Sequence, residues 1–174
     1  DITAKALTMS GLTSADRVYD GRTTASVSGT AVLQPAISAG SGADNDGKPY
    51  DVDSVSLTGT ASATFNSKNV TSANTVSFTG LSLTGTGSSN YTLTDHATAS
   101  HSITAKALTI SGLTSADRVY DGTTTASVSG TAAFQTAITA GLGADNDGIP
   151  YVGDIVNLTG TASATFNSKD VTSA

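Results

Sequence analysis

The sequence predicts an all-β protein built from tandem copies of one domain. Three observations carry that expectation. The composition suits strands and starves helices, short runs alternate apolar and polar residues, and the first 73 residues recur 101 positions downstream.

All 14 acidic residues are Asp, and Lys and Arg together number eight. Exposed helix faces are usually built from Glu, Lys and Arg, so there is little here to make them from. No stretch carries apolar residues at i, i+3, i+4 and i+7 over three turns. Thr and Ser supply roughly a third of the chain, and the branched Thr side chain suits a pleated, half-exposed surface. The 18 Gly fall mostly beside Thr, Ser or Asp, which is the mark of tight turns between short strands.

A net charge of −6 argues against nucleic acid as a partner, because phosphate binding needs clustered cations. No run approaches the ~18 apolar residues of a membrane span, so no membrane insertion is expected. With no Cys there is neither a disulfide scaffold nor a thiolate metal site. The start at Asp1 is that expected of a processed or internal fragment.

The repeat organises the chain. Ile2–Thr8 returns as Ile103–Thr109, Ser10–Gly21 as Ser111–Gly122, Gly42–Gly47 as Gly143–Gly148, and Leu57–Lys68 as Leu158–Lys169. The offset is 101 throughout, and 14 of 73 aligned positions differ, leaving 73 − 14 = 59 identical. A period of that length is domain-sized, longer than the ~20–50 residues of a solenoid repeat. Residues 1–102 therefore read as one complete repeat. Residues 103–174 read as a second that lacks the counterpart of 74–101, cut from a longer array.

Within one repeat, Ile2–Met9 reads as the first strand and Arg17–Tyr19 as a short one stopped by Asp20-Gly21. Thr24–Val32 holds one strand or two, kinked at Gly29. Gln34–Asp53 is a long polar loop. Ser54–Phe65 is strand broken near Gly59, and Thr75–Phe78 with Leu81–Leu83 continues the pattern. Tyr91–Thr94 and Thr98–Thr104 close the unit. Val55 and Leu57 alternate with Ser54, Ser56 and Thr58, as Val76 and Phe78 do with Thr75, Ser77 and Thr79. Such alternation buries one face and wets the other. Seven to nine short strands in ~100 residues match the size and turn density of an immunoglobulin-like antiparallel β-sandwich, without the Cys and Trp of antibody domains.

Several ordered elements resemble the YDG-type repeats of large bacterial surface proteins. They are Val18-Tyr-Asp-Gly21 and Val119-Tyr-Asp-Gly122, the leading Ile2–Thr8, Phe65–Val70, Phe78–Leu83 and Asn90–Thr94. The resemblance implies an extracellular β-rich module of a long adhesin and no catalytic residues. Gln34–Asp53 looks like an insertion relative to that pattern.

The sharpest candidate site lies in that loop. Asp44, Asp46 and Asp53, with Asp145, Asp147 and Asp154 in the copy, present carboxylates around an Asp-x-Asp-Gly turn. Ca²⁺ takes six to eight oxygens, often from such loops, and is the one cofactor the sequence suggests. The competing reading is a solvated acidic turn, since the spacing is not that of an EF-hand. Tyr19-Asp20-Gly21 reads as turn chemistry. Lys68 and Lys169 are candidates for an ion pair with Asp20 or Asp121, or for a Lys–Asn or Lys–Asp isopeptide crosslink. His96 and His101 read as solvent-facing or inter-domain, and no enzyme motif is present.

The expected function is a stalk or spacer of an extracellular bacterial adhesin or surface filament, not an enzyme. Its partners are then neighbouring repeats of the same chain and other copies in a filament. The rivals are a Ca²⁺-dependent ligand- or glycan-binding module and a strand-exchanging subunit of a polymeric fibre.

Overall fold

The structure, a computed structural model, describes residues 1–171. The chain forms two units, Asp1–Ala105 and Lys106–Ala174. It is all-β with open sheets. The one helical element among the described residues is a single 3₁₀ turn, Ser88–Asn90, and no helix is long and apolar enough to cross a membrane.

The first unit holds nine strands: β1 (Lys5–Leu7), β2 (Met9–Thr13), β3 (Arg17–Val18), β4 (Thr24–Ala25), β5 (Ser28–Leu33), β6 (Ser56–Phe65), β7 (Val76–Thr84), β8 (Tyr91–Leu93) and β9 (Ile103–Thr104). Its largest sheet runs β4-β6-β7. β6 and β7 pair antiparallel from Ser56↔Thr84 to Phe65↔Val76, with a register shift between Gly59 and Ser62. Alternation along this pair follows the sequence expectation: Ala63, Phe65, Val76 and Phe78 are buried while Thr64 and Ser77 are exposed. Those four side chains join Leu12, Ala25, Ala73 and Ile103 in one core.

β2 and β5 pair antiparallel across a bulge between Ser10 and Leu12. There Gly11 (φ 91°) and Gly29 (φ 82°) face each other so closely that a Cβ on Gly11 would overlap the Thr30 carbonyl oxygen, and one on Gly29 the Gly11 oxygen. Only glycine allows both the left-handed backbone and that approach.

The expectation of wholly antiparallel sheets needs correction. β1 pairs parallel with β8, and β3 parallel with β9. The first and last strands of the unit are far apart in sequence, so no hairpin turn fixes their relative direction. The first strand also differs. It begins at Lys5, and Ile2 is fully exposed. The twin of Ile2-Thr3, Ile103-Thr104, is the strand β9, and Ile103 is only 2% exposed. The residues that open the second copy in sequence thus close the first unit in space, and the division falls after Ala105.

In the second unit, β10 (Ile110–Thr114) pairs with β12 (Ser129–Phe134), and β11 (Thr125–Ala126) with β13 (Ala164–Thr165). These repeat β2-β5 and β4-β6, and the described residues hold no counterpart of β7, β8 or β9. Burial falls accordingly. Leu12 is 6% exposed but Leu113 37%, and Met9 7% but Ile110 47%.

Candidate functional site

Two polar constellations occur in each unit. The first is built on Lys5, which shares the inward face of β1 with the fully buried Leu7. Its Nζ lies 2.9 Å from Asp46 Oδ1 and 4.4 Å from the centre of the Tyr50 ring. Asp46 Oδ1 also accepts the Lys48 backbone N–H at 2.9 Å. The copy is alike: Lys106 Nζ lies 2.8 Å from Asp147 Oδ1, donates to the Tyr151 hydroxyl at 3.1 Å, and sits over that ring. Asp147 accepts the Ile149 N–H at 2.8 Å and the Ala144 N–H at 3.0 Å.

The bond from Lys5, helped by the Lys48 N–H, holds the Asp46 carboxyl below the usual carboxylate range. Asp147 is lowered in the same way by Lys106 and the Ile149 N–H. Bonding to Asp46 raises Lys5 against the effect of burial. Burial pulls Lys106 down, but its bonds to Asp147 and Tyr151 outweigh that and leave it raised. A lysine on the inward face of a strand needs an acid brought to it, and the long loop supplies one.

The six carboxylates read from sequence therefore have separate surroundings. Asp46 and Asp147 anchor the loop to a lysine. Asp53 accepts the Tyr91 hydroxyl at 2.6 Å, and that hydroxyl accepts the Tyr50 N–H at 3.0 Å. Burial first, and Asp53 second, push the Tyr91 hydroxyl pKa up. Asp44 and Asp145 are exposed, and Asp154 is half-buried with its N–H donated to the Tyr151 carbonyl. Among the described residues, no three His, Cys, Asp or Glu side chains gather as a metal-ligating group.

The second constellation is the Tyr19-Asp20-Gly21 turn. Asp20 Oδ1 accepts the Arg22 N–H at 2.9 Å, the bond of an Asx turn, and Gly21 takes φ 80°. Asp20 Oδ2 lies 2.7 Å from Arg17 Nη1, and the Arg17 guanidinium covers the Phe65 ring at 5.3 Å. In the copy Arg118 pairs with Asp121 and covers Phe166 at 5.4 Å, while Asp121 Oδ1 accepts the Thr123 N–H. Each turn thus clamps an arginine over a phenylalanine, the buried Phe65 in the first unit and the half-buried Phe166 in the second. The model of the YDG domain matches residues 3–99 and again 104–174. This chain belongs to the YDG domain family. No curated protein and no solved structure matches it.

The remaining candidates fall around these two YDG domains. Asp20 meets Arg17 and Arg22, and Lys169 pairs with the adjacent Asp170 at 2.9 Å. His96 stands edge-on to Phe78 and accepts the Leu12 N–H on Nε2 at 3.3 Å. It is a half-buried brace between β2 and β7, where the sequence suggested solvent or a neighbouring domain. His101 meets Asp16 at 3.2 Å, and Asp16 also accepts the Ser102 N–H at 2.8 Å, which lowers its pKa. Both contacts fix the approach to β9. Sequence reasoning overlooked Lys5 and Lys106. The available signal was Lys two residues before Leu7, a parity that puts both on one strand face.

Proposed function

We propose that this chain is a structural spacer: a run of YDG domains, each an immunoglobulin-like sandwich, in the stalk of an extracellular bacterial adhesin or surface filament. The observation that carries the reading is the junction. Thr104 ends β9 of the first domain and Lys106 is already bound to Asp147 in the second, so Ala105 alone separates them. A tether that short restricts how freely consecutive domains reorient, which suits a stiff array. The charged side chains support it too. Arg17, Arg118, Lys5 and Lys106 are each spent on a local acid that fixes a loop or turn. The reading assigns the chain no catalytic step.

Small-angle scattering on arrays with increasing numbers of 101-residue repeats tests the proposal. A constant gain in maximum dimension per repeat is expected. Growth as the square root of repeat number, the behaviour of freely jointed beads, would overturn it.

A further inference from the structure

We propose that the loop 34–53 is a clamp against tension: it straps β1, through which a pull along the chain enters the first unit, to β8. Strand direction sets how a pair yields. When tension enters on the N-terminal side of one strand and leaves on the C-terminal side of a parallel partner, the strands must slide and their bonds break together. When it acts on the same end of both, the bonds break one at a time. Both pairs that join the start of the first unit to its end are parallel. β1 meets β8 over three register positions, Lys5↔Tyr91 to Leu7↔Leu93, and β3 meets β9 over two. Chain order puts the incoming side before β1 and β3 and the outgoing side after β8 and β9, so tension along the chain shears both pairs.

The loop gives β1 a second parallel partner. Leu7 bridges Gly47 in parallel, and the Thr8 N–H donates to the Gly47 carbonyl at 3.0 Å. Beside that bridge Lys5 Nζ is held by Asp46 at 2.9 Å and lies over the Tyr50 ring. The loop is closed on itself at Ile37, whose N–H donates to the Pro49 carbonyl at 3.0 Å and whose carbonyl accepts the Asp51 N–H at 2.8 Å. Its far side reaches the first residue of β8: the Tyr91 hydroxyl accepts the Tyr50 N–H and donates to Asp53. β1 is therefore tied to β8 twice, directly and through the loop. The second unit repeats the strap where the chain enters it. Lys106 is held by Asp147, and the Thr109 N–H donates to the Gly148 carbonyl at 2.9 Å. Tension carried through Ala105 thus pulls on β9 of one unit and on the strapped Lys106 of the other. The inference rests on the spacer reading for its use. Rupture force is measured independently of array stiffness, so the two can fail separately.

The chain has no Cys, so paired substitutions at exposed sites fix where a single-molecule pull acts on the whole chain. Handles at Asp1→Cys and Ala105→Cys load β1 and β9 in shear. Handles at Asp1→Cys and Ser89→Cys pull on the adjacent N-terminal ends of β1 and β8. They should release β1 at about a third to a half of the force, breaking one register pair at a time rather than two or three together. Asp46→Asn should shorten the lifetime under constant force between 1 and 105 about tenfold, through loss of a charged bond. With the first handle moved to Ser10→Cys, beyond β1, the tension bypasses the strap and Asp46→Asn should leave the lifetime unchanged. Equal rupture forces for the partners at 89 and 105 overturn the proposal. So does an Asp46→Asn effect that is absent when pulling from Asp1, or as large when pulling from Ser10.

Discussion

Replacing Ile103 by Ala isolates what β9 does. The side chain is 2% exposed and shares a core with Phe65, Val76 and Phe78. Truncation removes three carbons, about 2.4 kcal/mol at ~0.8 per buried carbon, and the cavity term brings the expected loss to about 3 kcal/mol. For a unit of about 100 residues that is a fall in melting temperature of roughly 12–24 °C. Ile2→Ala is the internal control. It makes the same truncation in the same Ile-Thr-Ala-Lys-Ala-Leu-Thr context, at a position with no burial to lose. Its effect on the first unit should stay within about 0.5 kcal/mol. The assay is calorimetry at low micromolar protein, with hydrogen exchange followed peptide by peptide. β3, β6 and β7 should lose protection in Ile103→Ala while β10 and β12 keep theirs. If Ile103→Ala costs no more than Ile2→Ala, or if the protection is lost from β10 and β12 instead, then Ile103 does not belong to the first core.

Other outcomes follow from the same contacts. Asp16, Asp46, Asp121 and Asp147 are all more acidic folded than unfolded. The stability they confer is complete above the unfolded value near pH 3.9 and is lost as pH falls through their folded values, so melting temperature should drop below about pH 4. Asp46→Asn should soften that drop. Lys5, Lys106 and Tyr91 are raised, so a second loss should appear as pH climbs above about 10. Gly29→Ala should cost about 2–4 kcal/mol, from a positive φ and overlap with the Gly11 carbonyl. Gly40→Ala, with φ 76° and open space around it, should cost only the backbone share of about 1–2 kcal/mol. Millimolar Ca²⁺ or a chelator should leave the melting temperature unmoved, since Asp46 and Asp53 already hold Lys5 and Tyr91. A rise of several degrees with Ca²⁺ would support the metal reading of these loops instead. A Lys106–Asp147 amide, read as a loss of water in the mass of the peptides that carry them, should not form, because the raised lysine and lowered aspartate stay charged while amide formation needs the neutral amine and acid.

The strands legible in sequence were those whose own residues decide their burial. Val76 and Phe78 alternate with polar neighbours and are buried as that pattern requires. The glycine kinks at Gly29 and Gly59 lie at or beside the two register shifts of the first unit. Illegible were features set by a neighbour distant in the chain. The parallel pairing of β1 with β8 leaves no local trace, because alternation reports the buried face and not the partner's direction. The same seven residues stand at Ile2–Thr8 and Ile103–Thr109, yet Ile2 is exposed and Ile103 buried. No reading of the heptapeptide could separate them, since the difference lies in what flanks it. At the acidic loop, charge was legible but its destination was not. Asp46 looked available until Lys5 was placed beside it.

The offset between the copied unit and the folded unit bears on how such a gene changes length. Every breakpoint that preserves the 101-residue phase rejoins an Ile-Thr-Ala-Lys segment to the acceptor edge it already fits. Unequal recombination can therefore add or delete whole modules without creating a mismatched seam. The same offset penalises a laboratory truncation at residue 102, which follows the written repeat but discards the side chain that seals the domain before it.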